Sequence, residues 1–184
     1  QYSLVLTIGA DLSEKQKNYV LQYFGVSEAD AYVLTITNKD ERKYLEGLIP
    51  DEEIGTRTIS CALVRMTSSG GIQVKTANMY YVTSNMIAST LSTAGAYHCE
   101  VLTAAPFEVS GTGALTGAIM AYETSLGEAL DPELKGLANE ELVLTGNISE
   151  TVGQALATLI INDTKIHIVR DKIKDPEGVK ETVD

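Results

Sequence analysis

His98 and His167 are the side chains able to exchange protons near neutral pH without a large shift. His98 adjoins Cys99, but neighbours in an extended chain face opposite sides of a sheet, so they make no thiolate–imidazolium pair. His167 sits among charged residues in a helix-like stretch near the C-terminus. No nucleophile-elbow G-x-S-x-G, S-x-x-K pair or H-E-x-x-H pair occurs. Serine, cysteine and zinc catalysis are therefore not expected, and no catalytic residue, metal ligand or cofactor is assigned. The densest acidic group, Asp51-Glu52-Glu53, lacks the alternating ligand spacing of a calcium loop. It reads as a solvated turn after Pro50, with Arg57 placed to pair with one carboxylate.

Two further groups have a chemical reading beside a plain one. Gly111-Thr112-Gly113-Ala114-Leu115-Thr116-Gly117 follows a strand and opens a helix, where free N–H groups can hold an anion. The spacing is G-x-G-x-x-x-G with no Gly-Lys-Ser/Thr after it, which argues against a nucleotide loop. An anion site at Ser110, Gly111, Thr112 and Gly113 is one expectation; the other is that Ser110 caps the helix and small residues let it lie close on the sheet. The two cysteines, Cys61 and Cys99, fall on separate strands. They are read either as a disulfide, if the strands bring them together, or as two small apolar core residues.

The elements that must position these residues follow from periodicity. Leu4 to Ile8 is β-rich and stops at Gly9. Ser13 and Gln16 form a capping box for a helix with Leu12, Tyr19, Val20, Tyr23 and Phe24 on one stripe, ending at Gly25. Tyr32 to Thr37 is a second strand, and Asn38, with Glu41 in the reciprocal position, is expected to cap a short helix carrying Tyr44, Leu45 and Leu48. Ile59 to Met66 and Ile72 to Val82 flank Ser68-Ser69-Gly70-Gly71, which predicts an antiparallel hairpin. Ser84 opens a helix through Ile87, Leu91 and Ala94, ending at Gly95, and His98 to Thr103 is another strand. From Ser110 the pattern becomes helical, with further starts at Asp131-Pro132, Ser149 and Asp175-Pro176. The fold class is a mixed-sheet α/β (α+β) domain, residues 1–184, with a central antiparallel hairpin, flanking helices and a helical C-terminal portion. A change of character near 110 is its one sub-boundary. Tyr19, Tyr23, Tyr44 and Tyr122 are expected in the core, and one of Tyr80 and Tyr81 at the surface, where it would suit a glycan or peptide.

Composition narrows the partners. The chain has 184 residues, 44% hydrophobic and 21% charged, with 14 Lys plus Arg against 25 Asp plus Glu. The resulting charge of −11 leaves no basic stripe for phosphates, so nucleic acid and anionic membrane are not expected. The longest apolar run, Ala155 to Ile161, is far shorter than the roughly 20 residues a transmembrane helix needs. The first residue is Gln1 rather than Met, as in a processed or truncated chain that has already lost any export signal. Asn147-Ile148-Ser149 and Asn162-Asp163-Thr164 match glycosylation sequons, which matter only in a eukaryotic secretory pathway.

Three stretches carry a resemblance: Thr7 to Leu12 (TIGADL), Asn38 to Ser60 (NKDERKYLEGLIPDEEIGTRTIS) and Ala104 to Gly117 (AAPFEVSGTGALTG). Together they resemble the YpuA-like family, a bacterial domain of unknown function found mostly in Gram-positive organisms. The resemblance spans nearly the whole chain and implies a secreted or cell-surface protein, because members usually carry a secretion signal. It implies no activity and no catalytic residues, and the cysteines are not part of it. The expectation is a non-catalytic binding or cell-envelope-associated module whose partner is an unknown protein or cell-wall component. The alternatives are a hydrolase with an unrecognised carboxylate site and a self-assembling surface protein.

Overall fold

Short β-branched runs and capped helices alternate along residues 2–127, the part of the chain that the computed structural model describes. The order is β1 (Leu4–Gly9), α1 (Glu14–Phe24), a single 3-10 turn (Glu28–Asp30), β2 (Tyr32–Ile36), α2 (Asn38–Leu45) and α3 (Asp51–Ile54). Then come β3 (Cys61–Met66), β4 (Ile72–Met79), α4 (Ser84–Thr93), β5 (Cys99–Val109) and α5 (Thr112–Leu126). The capping box at α1 forms as expected: Gln16 N donates to Ser13 Oγ at 3.2 Å and Ser13 N to Gln16 Oε1 at 2.9 Å. Two other caps sit one residue earlier than expected. Thr37, not Asn38, caps α2 and exchanges bonds with Asp40; Thr83, not Ser84, caps α4. Each site offers two consecutive capping residues, and the length of extended chain before the helix selects the first of them.

The sheet is mixed, in the order β2-β1-β3-β5-β4. The pairs β1/β2 and β4/β5 are parallel, whereas β1/β3 and β3/β5 are antiparallel. Each parallel pair is bridged by its own helix, so the recurring strand–helix–strand pattern forms two β-α-β units. The expected hairpin is not formed. The turn at Gly70-Gly71 reverses the chain, so β3 and β4 run oppositely, but β5 lies between them. It pairs Cys61↔Ala104 through Met66↔Cys99 on one side and Ile72↔Cys99 through Ala77↔Ala104 on the other. A reversal sets strand direction; which strand fills the neighbouring place depends on burial, and β5 offers alternating apolar residues to two ladders at once.

Two apolar clusters lie on opposite faces of the sheet. The larger joins Val5, Ala62, Val64, Ile72, Val74 and Val101 to residues of α2, α3, α4 and α5, with Ile87, Leu91, Leu115 and Ile119 almost wholly buried. Each such side chain contributes about 1.5–3 kcal/mol by leaving water. The smaller joins Leu6, Ile8, Cys61, Leu63 and Ala104 to Val20, Leu21 and Phe24 of α1. Beyond α1 this second face is wet, with Arg65, Gln73 and Glu100 exposed.

The tyrosines depart from expectation. Tyr122 is buried and Tyr44 half-buried, but Tyr19 and Tyr23 are 59% and 52% exposed. The buried arc of α1 centres on Val20, Leu21 and Phe24, and the tyrosines at its margin keep their phenols in water. Tyr80 is exposed and Tyr81 half-buried, as the alternation suggested. No helix among the described residues is long and apolar enough to cross a membrane. His167, both sequons and the helices expected from Asp131-Pro132, Ser149 and Asp175-Pro176 lie outside the described residues.

Candidate functional site

At the C-terminal end of β1, the end nearest Gly9, the three quoted stretches converge on one polar cluster. Its centre is Glu41 of α2, 1% exposed. Because Thr37 and Asp40 take the capping roles, Glu41 is free to turn inward toward the first turn of α5. Thr112 Oγ1 donates to Glu41 Oε2 at 3.4 Å, as does Asn38 Nδ2. Ala114 N at the same helix start donates to Ser60 Oγ at 2.7 Å. Burial pushes the Glu41 carboxyl up to about 7, against the pull of Thr58, Asn38, Thr112 and the Arg42 charge. The Thr58 hydroxyl is close enough to lower the Glu41 carboxyl, yet among the described residues it meets no partner at full hydrogen-bonding geometry.

Small residues make this convergence sterically feasible. A Cβ on Gly113 would lie 2.7 Å from Thr58 Cγ2, 2.9 Å from Ser60 Oγ and 3.1 Å from Glu41 Oε1. One on Gly117 would collide with Thr7 Oγ1, and one on Gly9 with the Thr58 carbonyl. Gly111 caps α5 at a φ of 96°, a left-handed conformation that glycine takes without penalty. Ser110, expected to cap, instead donates its hydroxyl to the Glu53 carbonyl.

Of the four residues expected at an anion site, Gly111, Thr112 and Gly113 are buried and Ser110 is half-buried. The acidic group beside this helix start is the chain's own Glu41; the reciprocal place in the cap, expected for Glu41, is taken by Asp40. The signal that could have found it was Thr37 and Asp40 three apart, which leaves Glu41 spare.

The acidic triplet forms the first turn of α3, not a bare turn. Its ion pair is with Arg42, whose Nη1 lies 3.3 Å from Asp51 Oδ1 while Nη2 donates to the Gly55 carbonyl at 2.7 Å. Arg57, expected in that role, is exposed. Among the described residues no group of three or more His, Cys, Asp and Glu is placed to hold a metal ion.

The cysteines are both free and buried. Cys61 pairs with Ala104 and Cys99 with Met66, at opposite ends of one ladder and in the two separate core clusters. Five strand residues span about 17 Å, well beyond the reach of a disulfide, so of the two readings the structure has the thiols as small core residues and not as a bonded pair. Burial pushes the thiols up to about 11 and about 12, the condition of inert core cysteines. His98 accepts a bond from Gly71 N through Nδ1 at 3.0 Å and ties down the start of β4.

The other end of β1 is open. The rings of Tyr2 and Tyr32 stack with centroids 4.2 Å apart. They line an open groove of about 320 Å³ together with Ser3, Leu4, Asp30 and Ala31. Tyr2 and Tyr32 are 44% and 41% exposed. Ser27 donates to Asp30 Oδ2 from both its backbone N and its hydroxyl, which holds this carboxyl below its ordinary range and keeps it charged. Sequence reasoning missed this groove, because only the pairing of β1 with β2 brings Tyr2 beside Tyr32.

Comparison with known proteins matches residues 8–184 to a family model described as protein of unknown function (DUF1002). The chain is 39% identical over 173 residues to the uncharacterized protein YpuA of Bacillus subtilis (strain 168), covering 94% of this chain. It spans 59% of that relative's length. A homoserine kinase structure from Cytophaga hutchinsonii aligns over 46% of this chain and 33% of its own, at 16% identity and a TM-score of 0.34. That likeness is too slight to carry an argument.

Proposed function

Since the chain belongs to the DUF1002 family of proteins of unknown function, we propose that it is a non-catalytic binding module of an exported, cell-envelope-associated protein. The observation that carries this reading is the stacked, exposed Tyr2–Tyr32 pair over an open groove. Aromatic rings of this kind present a large rigid contact area with polar tips, which suits peptides and glycans. Of the nine tyrosines six are more than two-fifths exposed, so the residue is used mainly at the surface. Among the described residues both thiols lie in the core and the Glu41 carboxyl is enclosed against the chain's own hydroxyls. Export rests on the family resemblance, and fractionation of a Gram-positive host with an antibody to the domain tests it.

Retention of the purified domain on isolated Gram-positive cell walls, or capture of a defined envelope protein, tests the binding reading. Wild type is expected to be retained and Tyr32→Ser to be retained several-fold less while still folded, its stability lowered only by the about 0.5–1 kcal/mol of the lost stack. Equal retention of both would remove the role of the groove. A second reading, a hydrolase, has one observation in its favour: a carboxyl raised to about 7 has the proton affinity of a general acid. It requires Glu41 to reach a substrate, and it predicts turnover on a glycoside or peptide panel that disappears in Glu41→Gln while folding is kept.

A further inference from the structure

We propose that the outer edge of β2, unpaired among the described residues, docks with the groove at its start an extended basic peptide that adds to the sheet as a further strand. The proposal rests on reading the domain as a binding module and names the chemistry of its partner.

The two edges of the sheet differ in how they are defended. β4 carries Lys75, and its register breaks between Ala77 and Met79, where Asn78 takes a φ of 62°. A charge and a bulge are the usual devices that stop an edge from accepting another strand. β2 has neither. Tyr32-Val33-Leu34-Thr35-Ile36 contains no charge, proline or glycine, and its ladder with β1 runs without a break. Tyr32 and Thr35 are exposed, Val33 and Leu34 half-buried, and among the described residues only β1 pairs with this strand. An edge of this kind leaves a row of backbone donors and acceptors ready for an incoming strand.

Charge selects the occupant. The groove lies where β1 and β2 begin, and the charged Asp30 carboxylate sits beside the stacked rings. A guanidinium or ammonium laid there gains both a ring face and an opposite charge. The chain's formal charge of −11 draws a basic segment and opposes pairing with a second copy.

The test uses the full chain and a labelled, end-blocked ten-residue peptide of alternating arginine and threonine. A control peptide of the same sequence is N-methylated at every second residue, which keeps the charge and removes strand hydrogen bonds. The unmodified peptide is expected to bind at least tenfold more tightly. Amide NMR shifts should be confined to Tyr2 to Leu4 and Ala31 to Ile36, and Asp30→Asn and Tyr32→Ser should each weaken binding about fivefold while the domain stays folded, with an unfolding temperature only a few degrees lower. Equal binding of the two peptides, or shifts elsewhere on the surface, overturns the proposal. Concentration-dependent broadening of the β2 amides without peptide would assign the edge to a second copy and also overturns it. Cell-wall retention that persists in the presence of excess peptide would leave the binding-module reading standing while removing this partner.

Discussion

Two carboxylates at opposite ends of β1 receive similar neighbours and behave in opposite ways. Asp30 accepts two bonds from Ser27 and stays in water, so its charged form is favoured. Glu41 accepts bonds from Asn38 and Thr112, but these are long, and the carboxyl is sealed between α2, α5 and the chain entering β3. Loss of hydration there outweighs the hydroxyl and amide dipoles and the Arg42 charge together, and the carboxyl is pushed up to about 7. Hydration, more than the count of polar neighbours, decides which carboxylate is available to a partner and which becomes part of the interior.

Changes at the closed end should have the larger effects on stability. Gly117→Val drives two methyl groups into Thr7 on β1. It is expected to destabilise the domain by about 3 kcal/mol through overpacking, read as a lower urea midpoint; an unchanged midpoint would mean that α5 does not sit tightly on the sheet.

Glu41 should make stability depend on pH. Its folded pKa lies above its ordinary value of 4.5, so the folded form binds the proton more tightly than the unfolded form. Stability is then greatest below about 4.5, falls as pH rises toward about 7 and levels off above it. The total loss is on the order of 3 kcal/mol, since the two values lie about 2.5 apart and one pKa unit is worth roughly 1.4 kcal/mol. Glu41→Gln keeps an amide oxygen for Thr112 and should flatten this dependence. A parallel decline in the variant, followed by chemical denaturation from pH 4 to 8, would place its origin elsewhere.

Ser60→Ala leaves the buried Ala114 N–H without its acceptor and should cost about 1–3 kcal/mol. Thr116→Val should act in the opposite direction. Its hydroxyl is wholly buried and has no partner among the described residues, so an isosteric methyl is expected to stabilise by up to about 1 kcal/mol. At the open end Tyr2→Ser removes one stacked ring, worth about 0.5–1 kcal/mol of stability. Its principal effect should be on cell-wall or partner retention. A large drop in unfolding temperature would move Tyr2 from the surface to the fold.

Local chemistry made much of this molecule legible. The capping box of Ser13 and Gln16, the break at Gly25, the strands at Leu4, Tyr32, Cys61 and Ile72, and the inward stripe of Ile87 and Leu91 all follow from patterns a few residues long. So does the recurrence of strand–helix–strand. The glycine-rich run before α5 is legible as a close approach of helix to sheet, but the residues it approaches are not. The residues its glycines approach, Thr7, Thr58 and Glu41, are distant in sequence, and no local pattern reports a missing Cβ's neighbour.

Residue order and type by themselves determined the α/β class, the family, the surplus of acidic charge and most element boundaries, because each of these depends on composition or on contacts within one turn or one strand. Tertiary structure alone decided that β5 separates β3 from β4, that Cys61 and Cys99 never meet, that Glu41 turns inward and that Tyr2 stacks on Tyr32. Those outcomes depend on which apolar faces are buried together, and burial is a property of the whole assembled sheet.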